Sequence, residues 1–223
     1  MTPNDGSAPN GAVEGIVLAG GRASRLDGID KPRLRVGDGT LLDGVIRALR
    51  DAGCRRIVVA GPAAEETAGD DVEWVLEDPP FGGPVAGIAA ALEHITSPEV
   101  FVLAGDLAAP AEVVARLREH APSSSRPDAA TGRTVSDDAS AHEDGRCLSD
   151  PDGRVQWLAG VHRTIALRDA LAALPNGGRD ASLRQLLRGI RITTITASTE
   201  AVRDVDTWDD VETARRERAE RRE

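Results

Sequence analysis

Cysteine occurs only twice in the 223 residues, at Cys54 and Cys147. Two thiols are too few for a disulfide framework or a cysteine-based metal site. The four histidines, His94, His120, His142 and His162, have none of the spacings that hold zinc, so they read as surface or packing residues. Apolar runs long enough to cross a bilayer are missing, and residues 1–11 are polar rather than signal-like. Basic residues are in deficit, with 27 Lys and Arg against 37 Asp and Glu, a formal net charge of −10. That balance leaves no basic face for a phosphate backbone. Neither a membrane nor a nucleic acid is therefore an expected partner, and the chain reads as a soluble, cytoplasmic protein. There is no internal repeat and no Ser-His-Asp constellation. The chain also lacks a Gly-Lys-Ser/Thr placed to close a Walker A loop, and it lacks the Gly-x-Gly-x-x-Gly dinucleotide fingerprint.

The chain is long enough for one well-filled α/β domain. After a leader over residues 1–11, expected to be disordered, Val13 to Leu18 reads as a buried strand. Thr40 caps a helix whose Leu42, Val45, Ile46 and Leu49 share a face and which Gly53 closes. Strands follow at Ile57 to Ala60 and Val72 to Glu77. Pro84 then starts a helix with Val85, Ile88, Ala89, Leu92 and Ile95 inward. Val100 to Ala104 is the most apolar strand, and a helix from about Pro110 to His120 follows it. Residues 122–152 are rich in Ser, Asp, Gly and Ala; 128–131 is the one short strand expected there, and 133–145 is expected to be a flexible insertion. Val155 to Val161 pairs with the run at Cys147-Leu148 through the turn at 150–153. A helix over Thr164 to Leu174, a second capped by Asp180, and a strand over Ile190 to Ile195 come next. Thr207 caps a C-terminal helix with the exposed pairs Glu212/Arg216 and Glu217/Arg221, whose end at 217–223 is expected to be exposed. Strands alternating with helices of these lengths predict a single doubly wound, mostly parallel sheet with helices on both faces and one small antiparallel excursion. The domain is expected over residues 12–216.

The stretch that organises the chain is Leu18-Ala19-Gly20-Gly21, with Arg25 and then Asp30-Lys31-Pro32 downstream. Glycines after a buried strand let backbone N–H groups approach oxygens with no Cβ in the way. Arg25 and Lys31 add charge-assisted contacts on the same loop. That combination suits a polyanion better than a simple turn does. The pattern resembles the signature of nucleotidyltransferases that move a nucleoside monophosphate from an NTP onto a phosphorylated acceptor. Within that superfamily it is most similar to molybdenum cofactor guanylyltransferases, and the resemblance runs in segments from Val13 to Glu212.

The resemblance implies a Rossmann-like fold, GTP and molybdopterin, or another phosphorylated small molecule, as partners, and Mg²⁺ as cofactor. It assigns nucleotide binding to Leu18, Ala19, Gly20, Gly21, Lys31, Asp78, Gly82, Gly83 and Asp106. The reaction itself falls to Arg25 and Lys31, and the metal to Asp106 and Asp206. Asp106 follows a fully buried strand, where a carboxylate has lost part of its hydration, and Mg²⁺ needs few protein ligands when phosphates complete its shell. Asp204 and Asp206 alternate on an extended segment, so both point to one side. Asp78 precedes Gly82-Gly83-Pro84, where a carboxylate accepting two donors would read the edge of guanine. Arg163 and Arg179 are candidate cations of the acceptor side, but solvated surface charge is the favoured reading of each. Departures from the family pattern are Ala108 where a proline is usual, Trp208 where a proline follows the threonine, and no asparagine near Ala60-Gly61-Pro62. Three alternatives stay open: CTP as donor, a sugar phosphate or phospholactate as acceptor, and a nucleotide-binding regulatory module without turnover. A monomer is the provisional expectation.

Overall fold

The structure is a computed structural model. It describes residues 13–20, 31–63, 69–120, 143–199, 203, 205 and 207–220, with side chains to residue 216 in the last helix. The leader, Gly21, Arg25, Asp30, residues 121–142, Asp204, Asp206 and Arg221 lie outside the described residues.

The strands are β1 (Val13–Leu18), β2 (Arg35–Val36), β3 (Gly39–Thr40), β4 (Ile57–Ala60), β5 (Val72–Val75), β6 (Glu99–Ala104), β7 (Gly145–Ser149), β8 (Val155–Arg163) and β9 (Ile192–Thr196). The helices are α1 (Leu41–Asp51), α2 (Pro84–Leu92), α3 (Pro110–Glu119), α4 (Thr164–Ala172), α5 (Leu183–Leu186) and α6 (Trp208–Glu220). Seven strands form one sheet in the order β5-β4-β1-β6-β8-β7-β9, while β2 and β3 make a separate ribbon. Every pairing in the large sheet is parallel except those of β8, which runs against both β6 and β7. The expected antiparallel excursion is thus β8.

The sheet is covered on both faces, which is why its central strands read as continuous apolar runs. On one face Leu42, Val45, Ile46 and Leu49 of α1 and Val113, Val114 and Leu117 of α3 pack on Val17, Val59 and Leu103. On the other, Val85, Ile88 and Leu92 of α2, Leu167 of α4 and Leu186 of α5 pack on Ile16, Val58 and Val102. A smaller cluster joins Val36 and Leu41 to Ala108, Val205 and the α6 residues Val211 and Ala214. Among the described residues no helix is long and apolar enough to cross a membrane.

Local signals place most helix ends. Thr40 Oγ1 accepts from Asp43 N and Asp43 Oδ2 accepts from Thr40 N, a capping box at the start of α1. Gly53, at φ 83°, closes the helix in the left-handed region. Thr207 and Asp210 make the equivalent reciprocal pair before α6. Several boundaries differ from expectation: β9 begins at Ile192 rather than Ile190, α4 ends at Ala172 rather than Leu174, and β7 begins at buried Gly145, the last residue of the expected flexible insertion. β5 stops at Val75 because the chain turns into the Asp78–Gly83 loop. α2 ends at Leu92, leaving Ile95 buried just beyond it. Ser182 rather than Asp180 caps α5, through a capping box with Gln185; Asp180 stands at φ 60° with its N–H donated to Gly82 O. On α6, Glu212 pairs with Arg215, while Arg216 donates to Thr213 Oγ1.

Candidate active site

The carboxyl ends of β5, β4, β1 and β6 form one ledge, tied strand to strand by the backbone. Gly61 N donates to Val75 O, Ala19 N to Ala60 O, and Gly105 N to Leu18 O, each at 2.9 Å. The order of the sheet reverses at β1, with β4 and β5 to one side and β6 to the other. Open α/β sheets bind ligands in the crevice outside such a point.

Two glycines make the ledge close-packed. A Cβ on Gly61 would lie 2.8 Å from Ala19 C, and one on Gly105 would lie 3.0 Å from Leu18 O. Gly20 differs: it is exposed, and the nearest atoms to its ideal Cβ are at 3.5 and 3.6 Å, an ordinary contact. The fold itself leaves room for a side chain there. Lys31 is carried in from the side by a single 3-10 turn, Lys31–Arg33. Arg33 Nη2 donates to Pro62 O at 2.9 Å and Ala63 O at 3.0 Å beyond β4, and Pro32 Cβ stands 3.4 Å from the ideal Cβ of Gly105 beyond β6. Since β1 lies between those two strands, half-buried Lys31 is held across the end of β1. Asp106, half-buried, follows β6 directly, and its carbonyl accepts from Val205 N at 3.3 Å while Ala108 N donates to Arg203 O at 3.2 Å. The segment around 203–205 therefore runs beside Asp106. Among the described residues no group of three or more His, Cys, Asp or Glu clusters as a metal cage. An aspartate at a strand end suits a hard cation that takes its other oxygens from a phosphorylated ligand and water.

On the β5 side, the loop before α2 is pinned. Asp78 is exposed. Gly82 is packed so that a Cβ would meet Ala86 Cβ at 2.8 Å, and Gly83 takes φ 89° before Pro84, conformations that exclude larger residues. Arg179 Nη1 donates to Pro79 O at 2.7 Å, and Nη2 to Pro80 O at 3.4 Å. Arg179, read as surface charge with the acceptor side as the other candidate role, clamps this loop. The loop also holds Phe81 at φ 67° with 65% of its surface exposed. A bulky residue in the left-handed region is an outlier, and the sequence reading missed it.

Arg163 is not at this end of the sheet. Because β8 is antiparallel, Arg163 pairs in register with Glu99 at the start of β6, and its guanidinium lies 3.9 Å from Asp144. That opposite end is a network of polar groups bonded to one another and to the backbone, in which Glu143 Oε1 and His162 Nδ1 are the buried side-chain atoms left without a hydrogen bond among the described residues. Burial pushes the Glu14 carboxyl up, but hydrogen bonds from the Ser97 and Thr96 backbone and hydroxyls outweigh it and hold the group below its usual range. Arg146, 5% exposed, donates to Leu117 O at 3.0 Å and pairs with Glu99 at 3.4 Å. His162 is buried beside Cys147, Nε2 to Sγ 3.8 Å, and burial, with the positive charge of Arg146, depresses its pKa to about 4. Burial raises both thiols, Cys54 and Cys147, to about 12, which leaves them inert as nucleophiles.

A half-open cavity of about 810 Å³ adjoins the ledge on the β8 side, reaching Ala104 and Leu107 on either side of Asp106. Arg154, Trp157, Arg184 and Arg188 line it, and the sequence reading singled out none of them.

An open sheet with a glycine-bearing ledge at its reversal point defines a nucleotide-binding α/β fold. The solved structure of a nucleotidyl transferase from Methanothermobacter superposes with a TM-score of 0.69 at 20% identity, covering 94% of this chain and 99% of that one. That likeness establishes the fold. The chain belongs to the family of MobA-like NTP transferase domains, whose model matches residues 15–197. Among curated proteins it is similar to a probable molybdenum cofactor guanylyltransferase of Opitutus terrae, 40% identical over 87 residues, or 39% of this chain and 43% of that one. It is likewise similar to a molybdenum cofactor guanylyltransferase of Burkholderia cenocepacia, 35% identical over 114 residues, or 48% of this chain and 55% of that one. The matched stretches thus span about half the length of these relatives.

Proposed function

We propose that this protein is a nucleotidyltransferase that moves GMP from GTP onto molybdopterin, forming the guanine dinucleotide cofactor and releasing pyrophosphate. The observation that carries this reading is that the Leu18–Gly20 backbone, Lys31 and Asp106, from three separate segments, lie together at the carboxyl ends of β1 and β6. Gly20 supports it, since the fold tolerates a Cβ there and a bare backbone serves an approaching phosphate. The named relatives supply the substrates of the proposal.

Nucleotidyl transfer depends chiefly on positioning and on neutralising charge. A phosphate monoester is already an anionic nucleophile, so no general base is needed. One of its oxygens attacks the α-phosphorus, the bond from that phosphorus to the α,β-bridging oxygen breaks, and the electron pair leaves with pyrophosphate. The Leu18, Ala19, Gly20 and Gly21 backbone cradles the triphosphate with Arg25. Lys31 donates to a non-bridging α-phosphate oxygen as charge develops there. Asp78, with the Gly82-Gly83 backbone, reads the guanine edge. Asp106 and Asp206 hold Mg²⁺, which when bound neutralises charge on the phosphates. Val205, the neighbour of Asp206, already hydrogen-bonds to Asp106, which supports pairing the two aspartates.

Pyrophosphate release measured with each of the four NTPs, with and without molybdopterin, tests the reading. Release that requires both GTP and the pterin is expected. Preference for CTP would reassign the donor, release with sugar phosphates alone would reassign the acceptor, and no release with any pair would leave a binding module.

A further inference from the structure

One small apolar cluster belongs to neither face of the sheet. It joins Leu34, Val36 and Leu41 to Ala108, Val205, Val211 and Ala214, and Val36, Leu41, Val205 and Val211 are fully buried in it. Helix α6 supplies Val211 and Ala214, neighbours on one helical face, and among its described side chains these alone are buried. Neither of the two cores that cover the sheet contains an α6 residue among the described residues. The apolar stripe of α6 is therefore packed on this cluster and not on the sheet.

The members of the cluster come from the segments that carry the candidate site. Leu34 follows the 3-10 turn of Lys31 and donates from N to Lys31 O at 2.9 Å, and Leu41 N in turn donates to Leu34 O at 3.0 Å. Ala108 stands just beyond Asp106, and its N–H donates to Arg203 O at 3.2 Å. Val205 N donates to Asp106 O at 3.3 Å, and Asp206 is the next residue. Polar contacts fasten α6 to the same segments. Arg215 donates to Arg35 O, on the β2–β3 ribbon, from Nε at 3.4 Å and from Nη2 at 3.3 Å, and its Nη1 donates to Glu212 at 2.8 Å. At the start of the helix the reciprocal Thr207–Asp210 pair fixes the chain arriving from Val205, and Asp210 Oδ1 lies 3.9 Å from Arg203 Nε. One helix thus reaches the Lys31 ribbon and the Asp106 loop together.

We propose that α6 is a strap that sets the separation of Lys31 and Asp106, with Val211 and Arg215 as positioning residues for the proposed transfer. This rests on the proposed function, because a fixed separation matters only when one ligand engages both residues. The need for a strap is local. No residue of the Lys31–Arg33 turn is buried, and a turn without buried contacts opens more readily than the sheet beside it. A displacement of about 1 Å in a positioned group can cost on the order of 100-fold in rate. Val211 acts through Val36 and Leu34 on the Lys31 turn, and through Ala108 and Val205 on the Asp106 loop.

The test compares Val211→Ala and Arg215→Ala with the wild-type full chain, first by amide hydrogen exchange without ligand and then by GTP-dependent pyrophosphate release with molybdopterin. Exchange should quicken on the order of 10-fold at Leu34, Leu41, Ala108 and Val205 together, while Ile16, Val58 and Val102 keep their protection. In turnover, kcat should fall about 10-fold while KM for GTP changes by less than about threefold. Arg215→Lys, which keeps a donor for Arg35 O, should restore most of the loss. In the Lys31→Ala background Val211→Ala should lower kcat little further, since a residue that acts through Lys31 then has nothing to position. Arg215 is exposed, so Arg215→Ala keeps the test decisive if Val211→Ala fails to fold. Exchange that quickens evenly over the domain, kcat unchanged in folded variants, or losses fully additive with Lys31→Ala would overturn the strap. The function fails separately: a wild type that releases no pyrophosphate with any NTP sinks the proposed reaction, and the strap then stands or falls on the exchange pattern.

Discussion

The two ends of the sheet are built by opposite rules. At the amino end, charged side chains are spent on one another and on backbone groups: Glu14 on Thr96 and Ser97, Arg146 on Glu99 and Leu117 O, Arg191 on Asp144. At the carboxyl end the ledge is made of backbone, with Gly20 exposed, and the adjoining cavity presents three arginines without ion pairs among the described residues. Buried polar groups must be paired to persist, whereas groups kept for a ligand must not be. The comparison therefore sets the charged groups bound into the amino end apart from the three arginines of the cavity, without reference to any motif.

Asp106→Asn should break the comparison most visibly if the carboxyl end is the reacting end. Turnover is expected to fall by about 10³-fold, since loss of a metal-side carboxylate removes several kcal/mol of charge stabilisation, while the melting temperature barely moves. Lys31→Ala should follow, with a loss on the order of 10²–10³ in rate and a smaller loss of GTP affinity. Unchanged values for both would remove Lys31 from the site, and equal losses would limit it to ground-state binding.

The amino end should answer to pH instead. His162 has its folded pKa depressed to about 4 from an ordinary 6.5, so between those values the unfolded chain binds the proton that the folded one refuses. Stability contributed by the neutral imidazole is then whole above about pH 6.5 and lost as pH falls toward 4, by up to about 3 kcal/mol. Denaturant midpoints measured from pH 7 to pH 4 should show that fall, and His162→Gln should flatten it. An equally steep profile in the variant would assign the acid sensitivity to other groups. The smallest effect is expected for Arg163→Ala: less than about 1 kcal/mol, because its ion pair is exposed and long, with acceptor KM unchanged. A raised acceptor KM would return Arg163 to the acceptor side.

What the sequence made legible follows from how each part is built. Backbone-built features compress into short contiguous signals, so Leu18 to Gly20, the capping box at Thr40 and the positive-φ closure at Gly53 could be read in place. The cavity could not, because Arg154, Trp157, Arg184 and Arg188 come from a strand start, a bulge, a four-residue helix and a 3-10 turn, none with a periodicity. For Arg163 the favoured reading, surface charge, holds, and the sequence already carried a reason to drop the acceptor side. The hairpin turn at 150–153 already implied that β8 reverses direction, and a residue after a reversed strand lies at the amino end of its neighbours. Arg179 shows a further limit, since its partners, Pro79 O and Pro80 O, are a hundred residues away in sequence and carry no side-chain signal.

The most direct measurement is an amide chemical-shift titration of ¹⁵N-labelled protein with Mg²⁺ and α,β-methylene-GTP. If the carboxyl end is the reacting end, the amides of Ala19, Gly20, Lys31, Gly105 and Asp106 shift or broaden saturably, and those of Glu14, Ser97, Arg146 and Arg163 stay in place. Perturbations centred on Glu14, Arg146 and Arg163, with Gly20 and Asp106 unmoved, would contradict the account.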